Sequence, residues 1–288
     1  MAHCHLTALA TATLLTVSSA AAAPAMWKVS DGDSSIWLFG SVHLLPPDID
    51  WRTAHLDKVM SKVDRVYFET DISVEAQMRI MPLSFELGFM RDGRLLSDVI
   101  GPQLTDRLRE AAQVYNMPMP MLLTMQPWMA ATSLSVGVLA ETGYDPALGV
   151  EQVLEATLTP ERKGFLETPE EQIGFLASGD EDEQIAMLEA TLDTLDVMVA
   201  DIDAMMAVWL DGNPEALGEI FVDQMGGYES DMVDRLIDQR NHNWVGQIEG
   251  MLERNESALL VVGAAHLVED VSVVRLLEAR GYHTERVQ

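Results

Sequence analysis

The chain predicts an α/β fold: a central mixed β-sheet built from its N- and C-terminal segments, with a large helical insertion at about residues 102–255. Three observations carry that expectation. Short apolar runs of strand type gather at the two ends, at Met26 to Val29, Ile36 to Phe39, Arg65 to Phe68, Ala258 to Val262 and His283 to Val287. The middle instead spaces its apolar residues by three and four, as one face of a helix requires. The third observation is a repeat. Phe39-Gly40-Ser41-Val42-His43 is echoed by Val262-Gly263-Ala264-Ala265-His266, and each Gly-x-x-His directly follows a strand-like run. Ligands of α/β sheets collect beyond the carboxyl ends of the strands, so two histidines delivered there by distant segments are candidates to meet in one site.

Taken in order, residues 1–25 contain no Asp, Glu, Lys or Arg, and an apolar stretch from Leu6 to Val17 gives way to small residues. This reads as a secretory signal peptide cleaved after Ala25, although His3 and His5 stand where Lys or Arg is usual. The mature chain is then expected in the periplasm or secreted. Its one cysteine, Cys4, lies inside the leader, so the exported chain has neither a disulfide nor a thiol nucleophile. A chain of this length folds without cross-links.

No Gly-, Ser- or Pro-rich run is long enough to be a linker, so residues 26–288 read as one domain. Asn116 to Ala140 carries no charge but contains Pro118, Pro120 and Pro127. Its proline-free remainder is shorter than the roughly 20 residues of a membrane span, so it reads as a buried helix or apolar lid. Gly164 to Leu166 adds a short strand. A single long helix is expected after the acidic Gly179 to Glu183 stretch, with Leu188, Leu192, Leu195, Val199, Ile202, Met206 and Trp209 on one stripe ending near Gly212. A second amphipathic helix runs from Asp231 to about Leu252.

The formal net charge of −28 argues against nucleic acid and against an anionic membrane surface as partners. Most of these acids solvate helix faces. Two others do not fit that role: Glu69 in Val66-Tyr67-Phe68-Glu69-Thr70 and Glu167 in Gly164-Phe165-Leu166-Glu167-Thr168 each end a strand-like run. A carboxylate there is costly unless paired, protonated or bound to a cation. Glu167 has the alternative of serving the helix that starts at Pro169, and Glu151, in Leu148-Gly149-Val150-Glu151, stands in a first helical turn. Arg240, in a chain poor in cations, either holds a substrate carboxylate or developing oxyanion, or pairs with one of the acids. His55, His242 and His283 fall in a polar helix start, a mid-helix cluster and an edge strand. Zincin, lipase, phosphate-loop and dinucleotide signatures are absent.

These motifs in their order resemble the TraB/GumN family: Leu38-Phe39-Gly40-Ser41-Val42-His43, Phe68-Glu69, Gln126-Pro127-Trp128, Gly149-Val150-Glu151, Leu166-Glu167-Thr168-Pro169-Glu170-Glu171-Gln172, Arg240-Asn241 and Val262-Gly263-Ala264-Ala265-His266. The family includes the animal TIKI proteases and is similar to the erythromycin esterase and ChaN-like group. The resemblance implies an α/β core whose active centre is His43, Glu69 and His266, with Glu151 and Arg240 at further motif positions. One departure is His266-Leu267-Val268-Glu269-Asp270, where members commonly carry a glycine-containing helix start.

By the same resemblance the expected activity is metal-dependent hydrolysis of a peptide or small-molecule substrate. His43, Glu69 and His266 would hold a divalent ion (Mn, Co or Zn), which lowers the pKa of bound water to about 7. Glu151 or Glu167 would act as base, and Arg240 at the oxyanion. A metal-free esterase with His43 as base and Glu69 orienting it, and a non-catalytic module binding a peptide or haem, are the other two readings.

Overall fold

The computed structural model describes residues 23–226, 228 and 230–288, so the expected leader lies outside the described residues except for its last three. Six strands form one mixed sheet: β1 (Met26–Ser30), β2 (Ser35–Ser41), β3 (Arg65–Phe68), β4 (Lys163–Phe165), β5 (Ala258–Gly263) and β6 (His283–Arg286). Their order is β4-β3-β5-β2-β1-β6. β4, β3, β5 and β2 run parallel, while β1 and β6 add antiparallel at one edge. The chain therefore has the α/β fold expected, with the two terminal segments interleaved in one sheet.

Residues alternate faces along β5. Leu259 and Val261 pack with Phe39, Val66 and Phe68 on one side, and Leu260 and Val262 pack with Ile36, Leu38 and Trp244 on the other. Both faces are covered, which is why the run Leu259-Leu260-Val261-Val262 has no polar alternation.

Helices fill the connections. Before the sheet is complete come α1 (Ala54–Met60), α2 (Val74–Gly88), α3 (Leu96–Val114), α4 (Met119–Leu122), α5 (Pro127–Glu141) and α6 (Val150–Glu155). After β4 follow α7 (Pro169–Ala177), α8 (Glu181–Thr194), α9 (Met198–Leu210), α10 (Pro214–Met225), α11 (Ser230–Val233), α12 (Gln239–Glu253) and, beyond β5, α13 (Val273–Ala279). No helix among the described residues is long and apolar enough to cross a membrane, and the uncharged Asn116 to Ala140 stretch supplies the buried α5.

The single long helix expected through residues 188–209 is two, α8 and α9, separated by a turn at residues 195–197. Two cores explain the break. Leu188 and Leu195 belong to a helical core with α3 and α5, whereas Met206 and Trp209 pack toward the sheet. One straight stripe cannot face both.

Candidate functional site

Four parallel strands end side by side, and the residues just beyond them are polar. Ser41 pairs in register with Gly263, Phe68 with Val261 and Phe68 with Phe165, which sets His43, His266, Glu69 and Glu167 around one crevice. Both Gly-x-x-His segments thus enter the same site, and they abut: a side chain on Gly40 would meet the Ala264 Cβ at 3.1 Å. A cavity of about 520 Å³ lies over the strand ends, lined among others by His43, Glu69, Glu151 and Arg240.

His43 is held from below by the start of α6. Gly149 packs so tightly on it that a Cβ would lie 2.2 Å from the His43 carbonyl oxygen, and the Val150 N–H donates to Val42 O at 3.1 Å. Only glycine permits that approach. The next residue, buried Glu151, then meets His43 Nδ1 at 2.9 Å and also accepts the Ser41 hydroxyl. The carboxylate beside it raises the His43 imidazole to about 9, against the opposing effect of burial. The ring nonetheless faces the cavity, its side chain 60 % accessible. With Nδ1 engaged, Nε2 is the free nitrogen. A Cβ placed on Gly263 would sit 3.6 Å from it and 3.2 Å from Glu69 Oε1, so the bare glycine keeps the floor open between them.

His266 is arranged in the opposite way. The Asn241 Nδ2 donates to Val271 O at 2.8 Å, which turns Asn241 Oδ1 toward His266 Nδ1 at 2.7 Å. An amide oxygen only accepts, so Nδ1 carries the proton and Nε2 has the lone pair. That lone pair accepts from Arg240 Nη1 at 3.1 Å. Burial, with the guanidinium adding to it, holds His266 down to about 3, so it is neutral at pH 7. Trp244 covers its ring at a centroid distance of 4.4 Å.

Arg240 is the hub. It donates Nε to Glu167 Oε1 (2.9 Å), Nη2 to Glu167 Oε2 (2.9 Å) and to Glu69 Oε2 (2.6 Å), and Nη1 to Leu236 O (3.2 Å) and His266. The five N–H groups of a guanidinium are all engaged, so none is left for an oxyanion. Phe175 and Trp244 flank it at 5.5 and 4.8 Å. The Leu236 carbonyl lies in a π-turn at Asp234–Asp238, between α11 and α12.

Burial pushes Glu69 up, but His266, Arg240 and His43 nearby and the Gly263 N–H at 2.7 Å together hold it down to about 2. Since His266 is neutral at pH 7, the charges that matter there are those of Arg240 and of the His43 imidazolium. Burial pushes Glu167 the other way, up, despite its fork with Arg240 and the Trp244 Nε1 donor at 2.8 Å. Glu167 is therefore tied to α12 rather than to the helix that begins at Pro169.

No group of three or more His, Cys, Asp or Glu side chains among the described residues is placed to hold a metal ion. Arg240 is the reason: its fixed charge occupies Glu69 and the His266 lone pair, two of the three donors the sequence suggested. A divalent ion would have to displace the guanidinium or face it at contact distance. These residues, as arranged, do not fit a metal.

A sequence model of the TraB/PrgY/gumN family matches residues 25–286. The chain belongs to that family. Searches of curated proteins and of solved structures found no match.

In this TraB/PrgY/gumN protein, sequence reasoning gave no role to Ser41, Asn241, Trp244 or Thr70. Asn241 and Trp244 had a legible signal, since both lie on the buried stripe of α12, where a polar residue needs a partner. Thr70 lines the cavity with a buried Oγ1 that has no hydrogen-bond partner among the described residues, and nothing in the sequence distinguishes it.

Proposed function

We propose that this chain is a hydrolase of ester or amide bonds, peptide bonds included, that works by proton transfer at His43. The observation that supports it is the His43–Glu151 pair: one imidazole nitrogen is fixed by a buried carboxylate at 2.9 Å while the ring opens on a cavity large enough for a substrate. In the neutral imidazole, Nε2 takes a proton from water as the water oxygen bonds to the substrate carbonyl carbon. The imidazolium so formed returns that proton to the departing alcohol or amine as the carbon–oxygen or carbon–nitrogen bond breaks. Ser41 and Glu151 fix the ring. Arg240 acts through others, holding Glu69, Glu167 and the neutral tautomer of His266 in place.

The metal-assisted peptidase, with Mn, Co or Zn on His43, Glu69 and His266, needs the same residues in another arrangement, because Arg240 would first have to release two of those donors. Chelation separates the two. The mature chain, dialysed against EDTA, is assayed on p-nitrophenyl esters and a fluorogenic peptide mixture beside His43→Ala. Turnover that survives chelation and disappears in His43→Ala is expected. Turnover lost on chelation and restored by Mn, Co or Zn overturns the metal-free mechanism, and no turnover on any substrate favours a binding module. Action in the periplasm or outside the cell is part of the proposal and rests on residues 1–25.

A further inference from the structure

A second cavity, of about 290 Å³, meets the first at His43. Its floor is Gly263 and His266, and its walls are Ile202, Met205 and Met206 of α9 with Leu217 and Phe221 of α10. Apart from the His43 ring, no charged side chain among the described residues lines it, in a protein with 46 acids. α9 and α10 carry Asp201, Asp203, Glu215, Glu219 and Asp223, yet none of these turns into the space. Glu69 and Glu151 line the first cavity instead. An apolar void between packed helices forfeits contacts its walls would otherwise make, and two methionines adapt their shape to a guest.

The geometry points to this cavity as the subsite for an uncharged alkyl or aryl group next to the scissile carbonyl, which makes the substrate an acyl ester or amide with an apolar acyl part. This rests on the hydrolase reading above. Continuity at His43 carries it: a group seated between α9 and α10 leaves its carbonyl beside Nε2, while the polar cavity takes the alcohol or amine. The volume is about ten times the roughly 30 Å³ that a water occupies in the liquid, which leaves room for an acyl chain of six to eight carbons or one aromatic ring.

The test uses p-nitrophenyl esters from acetyl to octanoyl and, as a readout without turnover, calorimetric binding of the methyl ketones 2-butanone, 2-hexanone and 2-octanone. In the wild type kcat/KM is expected to rise roughly fourfold per methylene, and the ketones to tighten alike. Met205→Trp, which fills the cavity, is expected to lower octanoyl turnover at least tenfold more than acetyl turnover. A flat chain-length profile in both wild-type measurements overturns the subsite. If neither these esters nor the fluorogenic peptide mixture is hydrolysed, the hydrolase reading fails, and the ketones still decide: chain-length-dependent binding supports the apolar site and its absence overturns it.

Discussion

Replacing Glu151 by Gln removes one charge and almost no volume, so it isolates what the carboxylate does for His43. With the imidazole raised to about 9, only about one ring in a hundred is in the base form at pH 7. The wild-type kcat/KM should therefore climb with pH and level off near 9, because the free base is the active form. The side chain is 60 % accessible, so water screens part of the pairing and not all of that rise vanishes with the charge. A return of about one to two pH units toward 6.5 is expected, which would place roughly ten to fifty rings in a hundred in the base form at pH 7. The plateau should nonetheless fall by about 10²- to 10⁴-fold, since an amide no longer fixes the tautomer or stabilises the imidazolium. Ester hydrolysis measured from pH 5 to 10 reads both effects, and NMR titration of the His43 ring reads the first without turnover. A limb that stays at the same pH in Glu151→Gln, or a flat wild-type profile, would refute the assignment of His43 as base.

Other perturbations probe the support. Arg240→Met strands two buried carboxylates, and denaturant unfolding should show a loss of about 3–5 kcal/mol; Arg240→Lys should recover little, because an ammonium cannot reproduce the fork. A loss below about 1 kcal/mol would mean the cluster is dispensable. Glu69, held at about 2 against an ordinary 4.5, contributes stability that is complete above pH 4.5 and fades as pH falls through 2. Glu69→Gln should flatten the stability profile over that interval, and an unchanged profile would contradict the pairing. Gly149→Ala puts a methyl 2.2 Å from the His43 carbonyl oxygen and should cost about 1–3 kcal/mol together with most activity; wild-type turnover in a folded variant would show that the α6 contact is slack. Thr70→Val removes a hydroxyl with no partner among the described residues, so stability should hold or rise slightly while KM increases. An unchanged KM would mean the hydroxyl serves no ligand.

Much of the site was legible because the sheet exposes its plan in sequence. A buried parallel strand reads as an unbroken apolar run, and the polar residues that follow within a few positions of Phe39, Phe68, Phe165 and Val262 had to lie at the shared carboxyl edge. His43, Glu69, Glu167 and His266 follow from that. The roles of those residues were not legible. Asn241 decides which nitrogen of His266 carries a proton, and Arg240 consumes the lone pair that would have gone to a metal; both effects depend on side-chain directions that spacing does not encode. The break between α8 and α9 escaped for a related reason: one apolar stripe serves two cores, and periodicity cannot say that its target changes midway.

The hydrogen bond from Gly263 to Glu69 joins positions 194 residues apart, and β5 slots between β3 and β2 rather than adding at an edge. The closure of so long a loop is an entropic barrier that local helices cannot lower. Until β5 has emerged and inserted, β2 and β3 have no common neighbour, and His43 and Glu69 belong to separate pieces of chain. The crevice that gathers them is complete only once β5 lies between the two strands.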